Sequence, residues 1–326
     1  MRDPKAAPLD KGGYNLKFYT NFKENMKKIV LTAILMILGF TSSQAQILYR
    51  ISGKGLQKPS YIVGTYHLAP STFVDSIPGA RAAFDAVEQV YGEVDMLETL
   101  KPENMEKMQK AMMLPEGTTL STLLDKEQMD RLNALLREVM GVDMTNEAVA
   151  AQLDKLSPST LETQISLLVY MKNMQGAMDI TSMIDTYFQQ EAIKKGKIVG
   201  GLETADFQME VLYGASLEEQ VKSLMCFVDN FQDGVEMADF ITAAYFAQDL
   251  EQLEELNLEE QEDECSNPES NEKMIYGRNA DWVEKMPAIM KARPTLFVVG
   301  AFHLCGERGV LKMLEAQGYT VEGVRK

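Results

Sequence analysis

The sequence predicts an α/β protein: a mixed sheet of about six strands, assembled from both ends of the chain, with a large helical insertion between them. Three observations carry this expectation. Short β-rich runs cluster in residues 47–94 and again in residues 295–324. Residues 102–195 follow a helical pattern almost throughout. The early runs are separated by a helical stretch, the strand–helix–strand order of a layered sheet.

The elements follow in order. Ile47–Ser52 alternates and is followed by Gly53 and Gly55, and Ser60–Gly64 is a second β-rich run; together they read as a strand pair. Between Ile77 and Glu88, Ala80, Ala83, Phe84 and Val87 recur at helical spacing behind Pro78. Gln89–Val94 then reads as a buried strand. The helical pattern over about 102–195 breaks at Pro115–Gly117, at Gly141 and at Ser157-Pro158. Lys197–Leu202 is a strand, and helices resume from Asp206 to about Met290. Thr295–Gly300 is an apolar strand behind Pro294, a helix over Gly309–Gln317 is closed by Gly318, and Tyr319–Val324 is the last strand.

Composition narrows the function. Apolar residues make up 45% of 326, enough for a sizeable core. The formal charge is −16, and the first 45 residues hold seven Lys/Arg against three Asp/Glu, so the remainder is more acidic still. Such a surface repels phosphate backbones and anionic lipid, which argues against nucleic-acid binding. Three cysteines without a C-x-x-C spacing exclude a disulfide scaffold and a zinc ribbon. Cys226 and Cys265 could pair in an oxidising compartment. The acidic run Asp249–Glu264, with leucines at 250, 253, 256 and 258, reads as a solvated amphipathic helix and loop rather than a cation site. Many of the 22 methionines, among them Met105, Met108, Met112, Met129, Met140, Met171, Met174, Met178 and Met183, fall in the helical block, as core filler or as an adaptable apolar wall.

The N-terminus reads as a targeting segment. Met26-Lys27-Lys28 precedes an apolar run from Ile29 to Leu38, and small residues stand at −3 and −1 for cleavage after Ala45. The run is too short to span a bilayer comfortably, which needs about 20 residues. Residues 1–25 are polar and patternless and read as an extension upstream of the true start. The expected organisation is thus 1–25 extension, 26–45 signal peptide and 46–326 a single domain, placing the mature protein in the periplasm or outside the cell with no stable membrane span.

The candidate chemistry rests on the only two histidines. Val63-Gly64-Thr65-Tyr66-His67-Leu68 and Val299-Gly300-Ala301-Phe302-His303-Leu304 share Val, Gly, His and Leu. With Gly at about 7% of ordinary composition, Gly three residues before both histidines is a coincidence of about one in 200. Each motif leaves an apolar strand, which puts His67 and His303 where open α/β sheets bind ligands. The glycines allow a turn or a close backbone approach. Glu93, in Tyr91-Gly92-Glu93-Val94-Asp95, ends another apolar run. Two imidazoles and a carboxylate form a complete protein ligand set for a catalytic divalent metal, suited to Zn, Mn, Co or Fe. Asp95, two residues on, is a candidate partner for that ligand set. Glu203, after Gly200-Gly201-Leu202, reads as a general base, a ligand or only the start of the next helix. Arg278, beside Asn279 and near the only tryptophan, Trp282, reads as an oxyanion stabiliser or a surface salt bridge. Cys305 on an extended backbone would point with His303, an arrangement that seldom has the geometry of a nucleophilic pair.

Taken together, Gly64-x-x-His67, Glu93, Gly201-Leu202-Glu203-Thr204 with Gln208, Arg278-Asn279, and Gly300-x-x-His303-x-x-Gly306 followed by Gly309-Val310 and Gly318-Tyr319 resemble the TraB/PrgY/GumN family, which includes the Tiki proteases. The resemblance spans essentially residues 46–326. It implies an α/β core with a helical insertion and, for the Tiki branch, divalent-metal-dependent proteolysis through both histidines and the acid. Substrate does not transfer with the fold. The expected function is an exported metallohydrolase acting on peptides or proteins. The alternatives are a non-catalytic binder that sequesters a peptide or haem, and a metal-free esterase with a His/Glu base.

Overall fold

The computed structural model describes residues 46–173, 183–262 and 265–325. The expected extension, signal peptide and cleavage point after Ala45 lie outside the described residues, as do Met174 and Met178.

Six strands, β1 (Leu48–Ser52), β2 (Ser60–Thr65), β3 (Gln89–Val94), β4 (Ile198–Glu203), β5 (Thr295–Gly300) and β6 (Thr320–Gly323), form one sheet in the order β4-β3-β5-β2-β1-β6. The four strands β4, β3, β5 and β2 run parallel, and β1 is antiparallel to both β2 and β6. The sheet is therefore mixed and drawn from both ends of the chain. β5, central among the parallel strands, is buried on both faces, which is why Thr295–Gly300 reads as a continuous apolar run rather than an alternating one. Leu296 and Val298 enter one core with Val63, Val90, Phe84 and Phe188. Phe297 and Val299 enter the opposite core with Ile62, Leu202, Trp282 and Met286.

The topology fixes the site. The chain leaves a slot between β2 and β3 and fills it more than two hundred residues later with β5. Thr65 then pairs with Gly300, Gly92 with Val298, and Val94 with Glu203. The carboxyl ends of all four parallel strands thus share one edge, with β5 flanked by the other two motif-bearing strands.

Helices from Pro102–Ala111 to Ile184–Lys194 lie between β3 and β4. Part of this block has its own core around Leu120, Leu132, Leu136 and Leu161, shared with Leu224 and Phe231 after β4. A disulfide joins Cys226, on the Leu217–Asp229 helix, to Cys265, with Cα atoms 5.7 Å apart. Cys305 is free and buried.

Candidate active site at the carboxyl edge of the sheet

β2 ends at Thr65, and His67 follows in the turn beyond it. Its Nδ1 lies 3.2 Å from Asp185 Oδ2, and its side chain is 74% exposed. Several helices pin this exit loop. Tyr245 donates to the Gly64 carbonyl, Tyr170 donates to the Leu68 carbonyl, and the Tyr66 hydroxyl meets that of Thr242.

β5 ends at Gly300, and residues Ala301–Leu304 form a single 3-10 turn that carries His303 inward. Gly64 makes that turn possible. A Cβ there would lie 2.9 Å from Leu304 Cδ1 and 3.1 Å from Ala301 Cα, so the two motif segments approach closer than a side chain permits. At Gly300 a Cβ would meet Glu93 Oε1 at 3.4 Å, an ordinary contact, so the close-approach expectation holds at Gly64 and not at Gly300. The turn also removes the extended geometry expected after His303. Cys305 instead lies against the Ala301 and Leu250 carbonyls, and burial pushes its thiol up to about 12, the opposite of an activated nucleophile.

Glu93 ends β3, on the side of β5 away from the His67 strand. Its Oε1 accepts from the Gly300 N–H at 2.8 Å and lies 3.8 Å from His303 Nε2. Its Oε2 accepts from Arg278 at 2.5 Å and from Gln208 at 3.3 Å. Burial pushes this carboxyl up, but His303, Arg278, His67 and the Gly300 N–H more than offset it and hold it at about 2. Glu93 is therefore ionised at neutral pH. Asp95, expected beside it, instead caps the Met96–Thr99 helix by accepting from the Leu97 N–H; a strand end followed directly by a helix gives the acid a backbone partner of its own.

Arg278 and Glu203 are buried together. Arg278 donates through Nε and Nη2 to the two Glu203 oxygens at 3.0 and 2.8 Å, through Nη2 also to Glu93, and through Nη1 to the Met274 carbonyl and to His303 Nε2 at 3.2 Å. All five N–H groups are thereby engaged inside the protein. Glu203 also accepts from the Trp282 indole at 3.0 Å. Arg278 lies at the start of the Gly277–Ala292 helix, directly after one π-helical turn over Glu272–Tyr276. That turn has no signature in the hydrophobic pattern, so the sequence showed a helix there but not how Arg278 is aimed.

His303 is buried between these groups. Guanidinium has no acceptor, so the contact with Arg278 requires a bare Nε2 and puts the ring proton on Nδ1. Nδ1 accordingly donates to Asn279 Oδ1 at 2.7 Å, while Asn279 donates to the Arg308 carbonyl. Burial pushes this imidazole down to about 4 against the pull of Glu93, so it is neutral at pH 7. His67 moves the other way. The hydrogen bond and charge of Asp185 raise it above the ordinary imidazole range, against the opposing effects of desolvation and of the Arg278 charge.

The donor chemistry suits a divalent metal. Each motif histidine has its Nδ1 engaged by a side-chain oxygen, Asp185 or Asn279, the arrangement that orients a ligating imidazole and leaves Nε2 to bind. Glu93 Oε1 and His303 Nε2 face one another. Among the described residues no three such donors stand at mutual ligating distance, and Arg278 holds the His303 lone pair. Loading a metal therefore calls for a local shift of Arg278 Nη1 and of the exposed His67 side chain. The sequence pattern marks Asn279 only as the neighbour of Arg278 and does not mark Asp185 or Gln189: an acid in a first helical turn and an amide within a helix have ordinary explanations when read alone.

The fold and the site define the class: an α/β protein with a mixed sheet that brings two histidines and a carboxylate to the carboxyl edge of its parallel strands. The chain belongs to the TraB/PrgY/gumN family, whose model matches residues 47–323. Among curated proteins it is similar to the metalloprotease TIKI2 of Danio rerio, 24% identical over 81% of this chain and 58% of that one. It is also similar to a metalloprotease TIKI homolog of Nematostella vectensis, 23% identical over 82% and 65%, and to the metalloprotease TIKI1 of Homo sapiens, 24% identical over 81% and 59%. The chain thus spans about three-fifths of the length of these relatives. No solved structure matches it.

Proposed function

We propose that this protein is an exported, divalent-metal-dependent peptidase whose metal is held by His67, Glu93 and His303. The observation that carries the reading is the matched placement of the two motif histidines at the ends of β2 and β5, each with Nδ1 facing a side-chain oxygen, and of the ionised Glu93 at the end of β3 on the other side of β5. The relatives named as metalloproteases support the metal and the peptide substrate. The disulfide supports an oxidising compartment, in keeping with the signal-peptide reading of residues 26–45. Among the described residues no helix is long and apolar enough to cross a membrane.

A bound metal would supply Lewis acidity and a nucleophilic water at neutral pH. The residues divide around it. Glu93 brings the negative charge, and the Gly300 N–H fixes the oxygen that faces His303. His303, neutral and oriented by Asn279, offers Nε2. His67, whose side chain is exposed, would offer Nε2 once a metal displaces the proton that Asp185 favours on the ring. Arg278 and Glu203, paired and saturated, hold Glu93 in place rather than act on substrate. Exposed Leu97, Leu100, Met105 and Phe207, on segments leaving β3 and β4, are candidate walls for an extended peptide.

The test is hydrolysis of a peptide library by the purified protein before and after chelation, with Mn²⁺, Co²⁺ or Zn²⁺ restored. Activity lost on chelation and regained with metal supports the assignment. Chelator-insensitive hydrolysis would favour a metal-free His/Glu base, and stoichiometric binding without turnover a sequestering protein.

A further inference from the structure

We propose that the Ile184–Lys194 helix is the positioning element of this site: Asp185 aims the His67 imidazole, and Gln189 fixes the backbone that follows Glu93. The inference rests on the reading of His67 and Glu93 as metal ligands.

Asp185 and Gln189 stand four residues apart and so share one face of the helix. An acid in a first turn ordinarily answers to the helix dipole. Here both carboxylate oxygens also reach the exit loop of β2: Oδ1 accepts from the Thr65 hydroxyl, and Oδ2 faces His67 Nδ1 at 3.2 Å. The His67 ring is 74% exposed, so packing does not orient it, and Asp185 does. The same helix end is stitched to that loop by its backbone. Ile184 N–H donates to the Ala69 carbonyl at 3.0 Å, and Met183 bridges to Pro70.

Gln189, one turn further on, is 5% exposed and acts on the other side of β5. Its Nε2 donates to the Val94 carbonyl at 3.0 Å and its Oε1 accepts from the Met96 N–H at 2.9 Å. One amide thus clasps two peptide groups on either side of Asp95, directly after Glu93. The same strand leaves room for it. A Cβ on Gly92 would lie 2.0 Å from Gln189 Nε2, so the glycine before Glu93 is the space the amide occupies. One helix therefore holds the ligand-bearing ends of β2 and β3 in a fixed relation across β5, and the insertion contributes to the site through two side chains that bind no metal themselves.

The chain has two histidines, so four imidazole nitrogens report the arrangement in a long-range ¹H–¹⁵N correlation spectrum of the full-length protein stripped of metal, assigned with His67→Gln. We expect Asp185→Ala to move the His67 ring signals to those of a freely exposed imidazole and leave the His303 signals in place, and Asp185→Asn, which keeps an acceptor but not the charge, to leave the His67 signals closer to wild type than Asp185→Ala does. We expect Gln189→Ala to remove the hydrogen-exchange protection of the Met96 amide. Calorimetric titration with MnCl₂ should show affinity reduced about 10–100-fold in both alanine variants. Unchanged His67 ring signals in Asp185→Ala, or wild-type Mn²⁺ affinity in Gln189→Ala, would overturn the proposal. If the wild-type protein binds no Mn²⁺, Co²⁺ or Zn²⁺, the functional reading fails instead, while the ring signals still decide whether Asp185 holds His67.

Discussion

Asn279 and His303 are joined by a buried hydrogen bond of 2.7 Å from ring Nδ1 to the amide oxygen, and the preceding residue, Arg278, addresses the other ring nitrogen. Two consecutive helical residues thus set the tautomer and the aim of one imidazole. Asn279→Ala leaves the Nδ1–H and the Arg308 carbonyl without their buried partner, which costs about 1–3 kcal/mol. We expect that loss in urea melts of the metal-free protein, together with a weaker Mn²⁺ affinity. A variant as stable as wild type would mean that the ring is held by packing against Trp282 instead.

The Arg278 network makes a second, larger effect. Removing one member of a buried ion group leaves the others uncompensated, at about 3–5 kcal/mol. Arg278→Met strands both Glu93 and Glu203 and should fall in that range. Arg278→Lys should recover little of it, because an ammonium cannot reproduce the five-donor fork. Thermal melts with the double variant Arg278→Met/Glu203→Gln check the cause: the second change should offset part of the loss of the first.

The two histidines should titrate in opposite directions in metal-stripped protein. The Asp185 contact raises His67 above its ordinary 6.5, whereas burial lowers His303 to about 4. The signs for stability follow by linkage. His303 in the unfolded chain takes up its proton near 6.5 and in the folded chain only near 4, so stability is lost as pH falls through that window. His67 contributes stability that is fully present below 6.5 and disappears as pH rises through its raised folded value. Ring C–H chemical shifts followed from about pH 2.5 to about pH 10 read the His67 midpoint and the onset and course of the His303 transition, and two coincident midpoints near 6.5 would contradict the geometry.

Gly92→Ala tests the space that Gln189 fills. The added Cβ would lie 2.0 Å from Gln189 Nε2 and 3.0 Å from the Val94 carbonyl oxygen, so we expect a destabilisation of about 1–3 kcal/mol, the range of an overpacked core. In a Gln189→Ala background most of the added cost should vanish, leaving the tight carbonyl contact. Additive effects in the double variant would show that the two residues do not share that space.

Much of this was legible in the sequence because the informative positions are ones where physics leaves few choices. Thr295–Gly300 reads as a strand buried on both faces, and the matched Gly64 and Gly300 motifs mark two strand ends. What the sequence does not contain is adjacency. Asp185 and Gln189 reach the site from a helix that looks like ordinary amphipathic filler, and only the insertion of β5 between β2 and β3 shows what they touch. Asp95 misled for a related reason: strand periodicity places it beside Glu93, but the chain turns into a helix there and the acid becomes its cap. The catalytic readings of Arg278 and Glu203 give way, on their saturated hydrogen bonds, to the proposal of a supporting pair.

The central claim is that His67, Glu93 and His303 bind one metal together. Equilibrium dialysis against Mn²⁺, Co²⁺ and Zn²⁺, followed by elemental analysis, measures this directly for the wild type and for His67→Gln, Glu93→Gln and His303→Gln. We expect about one ion per folded wild-type chain and a loss of at least about 10-fold in affinity for each variant, since each removes a ligand from a three-residue set. Wild-type protein that takes up no ion, or three variants that retain it undiminished, would contradict the assignment.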